Sequence, residues 1–433
     1  MNKFKNLKTR RFLFIFLIII AVSFVLVQNT NAATEFATTV NTDGGGDYSS
    51  LSLWEAAINS DLATTTTKVI NGSLTRGSFA DGAAVTQTTS GATATMRHDT
   101  ATQIMLVSVS GVPNSTNTWY PTANGNDATN AWTPTDAGDD VIATVELSGT
   151  AADTTAVTIN GWTTDAARYI NIYTTSAARH QGVWDNNKYR LTSSVFISED
   201  YVRIQGLQIT VAVTGNGYGV RIGTGVSITA SEIWLSNNII KTTTISGNYN
   251  RGIWIDGGAA NKIWNNIIYD WSAANAYGIN NNNNVAAVSY IYNNTITNSS
   301  SGINSSLFNQ TFYVKNNIVQ GATVGYYSSG SWGSGSDYNV SNIASDAPSP
   351  SYRSGLATTV VFADEINGNF HLAYNDTGAK NQGVDLSADA NLAFTTDIDG
   401  DTRSGAWDIG ADEYRVNVRM RGNVKMRGNV RFR

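Results

Sequence analysis

The residues of this chain that could do chemistry are few and widely spaced. Asp256 and Asp270 offer carboxylates in its regular middle stretch, with Arg203, Arg221 and Arg251 as cationic partners. A carboxylate beside a basic side chain can move a proton or hold a divalent cation, so Asp256, Asp270 and Arg251 are the candidate catalytic residues. His98, His180 and His371 lie outside that stretch, and the pair Asp139-Asp140 precedes it. Asp397-Ile398-Asp399-Gly400-Asp401 sets oxygens at alternate positions around a glycine, as a Ca²⁺ loop does. No cofactor is expected; the alternative is Ca²⁺, with Asp397, Asp399 and Asp401 as its candidate ligands. The position where such a loop carries its closing Glu is Asp408, so a terminal turn held by Asp–Arg403 contacts is the competing reading. Without cysteine, thiolate sites and disulfides are excluded.

These groups must be positioned by a repeat. Ile-Trp-Leu-Ser-Asn-Asn-Ile-Ile (233–240), Lys-Ile-Trp-Asn-Asn-Ile-Ile (262–268), Tyr-Ile-Tyr-Asn-Asn-Thr-Ile (290–296) and Tyr-Val-Lys-Asn-Asn-Ile-Val (313–319) are copies of one unit. With degenerate copies on either side, the second-Asn position falls at 207, 238, 266, 294, 317 and 339, a spacing of 31, 28, 28, 23 and 22 residues. Strand-like repeats of that length stack as a solenoid. Aligning them puts Ile204, Leu235, Ile263, Ile291 and Val314 in one inward row, and Ile209, Ile240, Ile268, Ile296 and Val319 in another. A third strand per coil starts at the Gly-Ile or Gly-Val of 219–220, 252–253, 278–279 and 302–303. The second Asn of each pair sits at a bend, where Asn tolerates left-handed backbone angles. Stacked Asn238, Asn266, Asn294 and Asn317 form a structural ladder that bonds the free backbone groups there.

The register also orders the outward positions. Arg203, Trp234, Lys262, Tyr290 and Tyr313 make one row, and Gln205, Ser236, Trp264, Tyr292 and Lys315 a second. Flat aromatics interleaved with cations can stack on sugar rings, so Trp234, Trp264, Tyr290, Tyr292 and Tyr313 are the candidate substrate-binding residues. The competing reading is cross-strand stacking that serves the sheet alone.

The flanking segments set the domain plan. Residues 1–32 combine a basic head with the uncharged run Phe12–Val27 and small residues near Ala32, as a signal peptide does, so the body is expected to be secreted or at the cell surface. Residues 33–62 read as a strand, a Gly-rich turn and a cap helix, and 63–135 as a small inserted β module. Residues 136–414 form the solenoid with its closing segment. The tail 415–433 repeats Asn-Val-Arg-Met-Arg-Gly and suits contact with an anionic envelope. Twelve of the 28 Lys and Arg stand in the two termini, so the body carries 16 against 33 acidic residues. Such a body is a poor nucleic-acid binder.

The Asn-Asn-Ile/Thr and Gly-Ile rhythm resembles the right-handed parallel β-helix proteins of the pectate-lyase-like superfamily, over roughly 140–414 and the Asp-Gly-Gly-Gly-Asp-Tyr turn at 43–48. The ending Asp397-Ile-Asp-Gly-Asp-Thr-Arg403 with Asp408-Ile-Gly-Ala-Asp-Glu-Tyr414 is similar to that of secreted β-helix proteins that carry varied surface anchors. The resemblance implies an all-β, right-handed parallel β-helix. The superfamily holds polysaccharide lyases, galacturonases and esterases, but also adhesins and members without demonstrated chemistry, so the fold does not choose among them. A lyase would need a carboxylate cluster for Ca²⁺ beside an Arg or Lys base, and a galacturonase Asp pairs on neighbouring coils. The galacturonase motifs Asn-Thr-Asp, Asp-Asp and Gly-His-Gly are absent from the repeat region. The expected function is non-catalytic adhesion or binding of a polysaccharide or cell-envelope glycan. The competing readings are a lyase or glycoside hydrolase acting on acidic polysaccharide, and a structural envelope component.

Overall fold

The structure is a computed structural model that describes residues 33–122, 130–223, 232–257, 260–281, 287–307 and 310–415. The expected signal segment 1–32 and all but the first residue of the basic tail lie outside the described residues. The chain divides into two compact units. One is Ser60–Ala143 with short flanking pieces, and the other holds Ala37–Asn59, Thr144–Ala166 and Ile170 onward.

The second unit is a parallel β-helix. Each coil supplies one strand to each of three parallel sheets, two of eight strands and one of seven. A representative coil runs through Glu232–Ser236 in the first sheet, Ile239–Ser246 in the third and Arg251–Ile255 in the second, and returns to the first at Ala260–Trp264. The expected registers are observed. Ile204, Leu235, Ile263, Ile291 and Val314 pair in succession with at most 1% exposure, and Ile209, Ile240, Ile268, Ile296 and Val319 do the same. Each such Ile, fully buried, contributes about 1.5–3 kcal/mol of transfer free energy. The glycine of the third strand in each coil has a steric cause. A Cβ on Gly252 or Gly278 would stand 2.5 Å from the Cγ2 of Ile268 or Ile296, so only a bare Cα lets the second sheet approach the third.

The bend divides its labour between the two asparagines in a way that corrects the expectation. The left-handed residue is the first of each pair, with φ of 55°, 52°, 50° and 54° at Asn237, Asn265, Asn293 and Asn316. The degenerate copies put Gly206 and Tyr338 at the same place, also with positive φ. The second Asn points inward and carries the ladder. Asn294 Oδ1 accepts from the backbone N–H and the side-chain amide of Asn266, both at 3.0 Å. Asn294 Nδ2 in turn donates to Ile263 O at 2.9 Å and Asn317 Oδ1 at 3.0 Å. Asn238, Asn266 and Asn317 repeat the pattern, and Asn339 ends it by accepting from Asn317 and bonding the Pro348 carbonyl and the Ser349 hydroxyl. Every rung is satisfied, which is the condition for a polar column inside an apolar core.

The cap helix is Leu51–Ile58, opened by Ser50, whose hydroxyl accepts from Leu53 N. It buries Leu51, Trp54 and Ile58, with Trp54 Nε1 donating to Thr38 Oγ1 at 2.7 Å. In the other unit, residues 68–134 make a closed antiparallel barrel of six strands around Ile70, Val85, Met96, Leu106, Trp119 and Trp132. Closure removes the edges that a small sheet would otherwise expose.

Residues 342–415 hold little regular structure beyond the hairpin of Phe362–Asp364 and Asn369–Leu372. They nonetheless cover the solenoid. The outward row Ile239, Ile267, Thr295, Ile318 and Val340 of the third sheet packs beneath Phe362, Phe370, Leu372, Ile398, Ile409 and Ala411.

Replacing Asn294 by Ala leaves the buried Asn266 N–H without its partner and removes the amide's bonds to Ile263 O, Tyr292 O and Asn317 Oδ1, at about 1–3 kcal/mol for the orphaned donor and about 0.5–1.5 kcal/mol for each lost bond. We expect a loss of about 3 kcal/mol or more in denaturant unfolding, whereas Asn248→Ala, at an exposed position outside the ladder, should cost under about 1 kcal/mol.

Candidate functional site

The first asparagine of each bend, facing outward, is where the closing segment attaches. Asn237 Nδ2 donates to Asp397 O, Asn265 Nδ2 to Thr396 O at 2.7 Å, and Asn293 Nδ2 to Asp408 O at 3.0 Å and Gly410 O at 2.9 Å. Asn316 exchanges two bonds with the Val384 backbone at 2.8 and 3.0 Å. The motif 397–414 is built to meet this row. Arg403 has a fully buried side chain, and its guanidinium donates to Asn265 Oδ1 at 3.0 Å, to the Gly410 and Ala411 carbonyls at 2.9 and 2.8 Å, and to Glu413 Oε2 at 3.2 Å. The carboxylate partner of Arg403 is thus Glu413, not an aspartate as the sequence suggested. Gly410, at φ +96°, passes so close to the coils that a Cβ would stand 2.4 Å from Ile318 Cδ1. His180 is structural here, since its Nε2–H donates to Asn237 O at 2.8 Å and its Nδ1 accepts from Gly182 N. Burial and the neighbouring Arg179 push its pKa down to about 4, so it is neutral.

Asp397, Asp399 and Asp401 do not converge on one point. Asp397 Oδ1 accepts from the backbone of Asp399 at 3.0 Å and Asp401 at 2.8 Å, and Oδ2 from Glu413 N, so its oxygens are consumed in shaping the turn. Burial raises its pKa to about 6. Asp401 is turned to solvent and pairs with Arg415 at 3.3 Å. Asp399 instead faces His371, whose Nε2 lies 3.0 Å from Asp399 Oδ2. The three aspartates are therefore arranged as a turn, with the Asp397 carboxylate bonding the turn's own backbone. The residues that do approach one another are His371, Asp399 and Asp412, with ligand atoms within 4.8 Å. Asp412 stands 13 residues after Asp399 and His371 28 before it, so alternate-position spacing could not reveal them.

The candidate catalytic residues are each held in another arrangement. Asp256 accepts from Arg221 Nε at 3.1 Å and from Arg221 Nη2. Arg251 is only 3% exposed, donates to Asn280 Oδ1 at 2.9 Å and lies over the Trp254 ring at 4.1 Å. Asp270 stands elsewhere, on the bend that leaves the third sheet, with φ +67° and its Oδ1 accepting from Asn298 Nδ2 at 2.8 Å. Arg251 and Asp256 share the outer side of the second sheet, and Asp270 does not join them. Glu232, passed over in the sequence, pairs with Lys262 at 2.7 Å and accepts from Trp234 Nε1.

The outward rows have the expected register, Arg203–Trp234–Lys262–Tyr290–Tyr313 and Gln205–Ser236–Trp264–Tyr292–Lys315. Their exposure differs from the expectation. Tyr292 is fully buried, because Leu386, Leu392 and Trp407 of the closing segment pack on it, and Trp264 meets Phe394 at 6.3 Å. The first row, like Trp264, is partly buried and keeps some surface open to solvent. Its rings are stacked along the sheet, with Arg203 3.8 Å from the Trp234 centroid and Tyr290 against Tyr313 at 5.1 Å and 21°.

Burial pushes Asp408, which accepts from the backbones of Asn381 and Tyr414, up to about 7 from 3.8. A carboxyl raised in the folded state binds its proton more tightly there, so its contribution is complete below about pH 4 and is lost as pH rises through 7. The melting temperature of Asp408→Asn should therefore depend less steeply on pH between 4 and 7 than that of the parent. The opposing contribution of His180 is common to both proteins and cancels in the comparison.

No family model matches the chain, and no curated protein does. Among solved structures it is similar to pectate lyase Pel9A, at 18% sequence identity and a TM-score of 0.31, over 63% of this chain and 88% of that one. That likeness is too distant to bear on activity, and the parallel β-helix rests on the strand pairing itself.

Proposed function

We propose that the protein is an exported β-helix that binds a glycan along the partly exposed row of the first sheet, without turning it over. The observation that carries this reading is selective cover. The closing segment buries Tyr292 completely, yet Arg203, Trp234, Lys262, Tyr290 and Tyr313 on successive coils each keep part of their surface open, even though Tyr290 and Tyr313 border the same apolar cluster. Neighbouring coils lie ~4.8 Å apart, so the row is a straight strip along the solenoid axis. Because the rings face one another, a ligand meets their rims, the Tyr290 and Tyr313 hydroxyls and the cationic groups, and the dominant contacts are hydrogen bonds to sugar hydroxyls. Lys262 is neutralised by Glu232, and Lys315 beside the strip by Asp389 at 2.6 Å. With an acidic body besides, the strip suits a neutral glycan better than a polyanionic one.

The test keeps the stack and removes only the polar rim. Tyr290→Phe with Tyr313→Phe should weaken retention on neutral polysaccharides about tenfold or more, at about 0.5–1.5 kcal/mol per hydrogen bond, with an unchanged melting temperature. Retention that is unaltered in the double variant, or that occurs on acidic polysaccharides alone and vanishes with salt, rejects the reading. Chain cleavage of any polysaccharide in the same panel replaces it with an enzymatic one.

A further inference from the structure

His371, Asp399 and Asp412 come from three separate stretches of the closing segment and meet at the edge of a concavity of about 400 Å³. Asn369 fixes the state of the imidazole. Its Oδ1 accepts from the His371 backbone N–H at 3.1 Å, which orients the amide, and lies 2.6 Å from Nδ1. Nδ1 therefore carries a proton, and Nε2 faces two carboxylates; in the metal-free protein it donates its own proton to Asp399 Oδ2, a proton that a bound cation displaces. Asp399 Oδ2 stands 3.0 Å from Nε2 and Asp412 Oδ1 4.0 Å from it.

The carboxylates hold acceptor capacity that the protein does not use. Asp399 Oδ1 is buried and accepts no hydrogen bond. The Asp412 side chain is 6% exposed, and while its Oδ2 accepts from Leu372 N at 2.7 Å, its Oδ1 faces His371 beyond hydrogen-bond reach. Room is kept between the groups by Gly182, at φ +66°, where a Cβ would come within 2.5 Å of His371 Nε2 and 2.7 Å of Asp399 Oδ1. Arg179 lies within electrostatic reach of Asp399, and Asp397 shares that charge.

We propose that His371 Nε2, Asp399 and Asp412 Oδ1 bind a first-row divalent cation such as Zn²⁺ or Mn²⁺, a site that staples the hairpin 362–372 to the turns at 397–401 and 408–413. Ligands at about 2.0–2.1 Å from a metal stand about 3 Å apart when adjacent and about 4 Å apart when opposed in an octahedral shell, and about 3.4 Å apart in a tetrahedral one, so the distances of 3.0 and 4.0 Å from Nε2 bracket what either shell requires. An imidazole nitrogen among the ligands favours such a metal over Ca²⁺ or Mg²⁺, which take oxygen. The Nδ1–H bond to Asn369 is the outer contact that orients a ligating histidine. The concavity leaves the remaining coordination positions open to water.

The inference is independent of glycan binding and has its own readout. Tag-free full-length protein, treated with chelator and dialysed, is titrated with Zn²⁺, Mn²⁺ and Ca²⁺ near neutral pH by calorimetry and thermal melting. One equivalent of Zn²⁺ or Mn²⁺ should bind and raise the melting temperature by about 3 °C or more at a hundredfold excess over Kd, with Ca²⁺ ineffective at the same concentration. Asp399→Asn, which keeps an amide oxygen facing His371 Nε2 but removes the charge, should weaken binding about tenfold or more and shrink the metal-induced rise in melting temperature measured against the same variant without metal. His371→Gln should abolish the shift. The proposal is overturned if neither transition metal shifts melting up to about 1 mM, if Ca²⁺ is preferred, or if both variants bind as tightly as the parent.

Discussion

A chain that turns between two strands inside a stack of coils cannot leave its amide and carbonyl groups to water, because the neighbouring coils have excluded it. At one corner of every coil in this protein, two adjacent asparagines meet that constraint by different means. The first takes the left-handed backbone angle that turns the chain, and the second fills the corner with an amide that bonds the coils on either side. Leaving a buried donor or acceptor unpaired costs about 1–3 kcal/mol, so a single defect in this column is felt by two neighbouring coils. The apolar rows beside it can then stack in register, since the column sets how each strand pair begins.

The same turn has a consequence for the outside of the molecule. A left-handed first Asn projects its side chain away from the core, and a row of such side chains offers amides at the spacing of the coils. The closing segment uses them. Its Asp, Gly and Arg residues are spent on shaping two turns whose carbonyls reach Asn237, Asn265 and Asn293, with Arg403 gathering four of the contacts. Arg403 is buried with Glu413, a pair whose cost of desolvation is met by hydrogen bonds to several carbonyls. The clasp in turn limits which surface remains for ligands, because it buries Tyr292 completely while Tyr290 and Tyr313, at the border of the same cluster, are only partly covered.

Much of this was legible in the residues, and what was not has identifiable causes. Ile204, Leu235, Ile263, Ile291 and Val314 could be read as one inward row because the repeat sets period and register together. The division of roles within Asn-Asn could not, since both positions carry the same side chain and only backbone angles distinguish them. Gly206 was the available clue, because in the degenerate copy glycine occupies the first position and leucine the second. The cover over Tyr292 and Trp264 was invisible because Leu386, Leu392, Phe394 and Trp407 have no periodicity that ties them to a coil. Local spacing misled at Asp397, Asp399 and Asp401, which look like ligands of one ion until His371 and Asp412 arrive from distant positions to claim Asp399.

The central claim is that the outward asparagine row and the 397–413 clasp form one cooperative structure with the coils. Amide hydrogen exchange tests it at single residues. Gly410 N donates to Asn316 O at 2.8 Å, Arg403 N to Thr395 O at 2.8 Å and Ile398 N to Ala411 O at 2.9 Å. If the clasp is part of the fold, these amides exchange as slowly as those of Ile267 and Ile318 in the coils, whose N–H groups bond Asn238 and Asn294. Fast exchange at Gly410 and Arg403 beside slow exchange at Ile267 and Ile318 would contradict the account, since the closing segment would then detach while the coils stay folded.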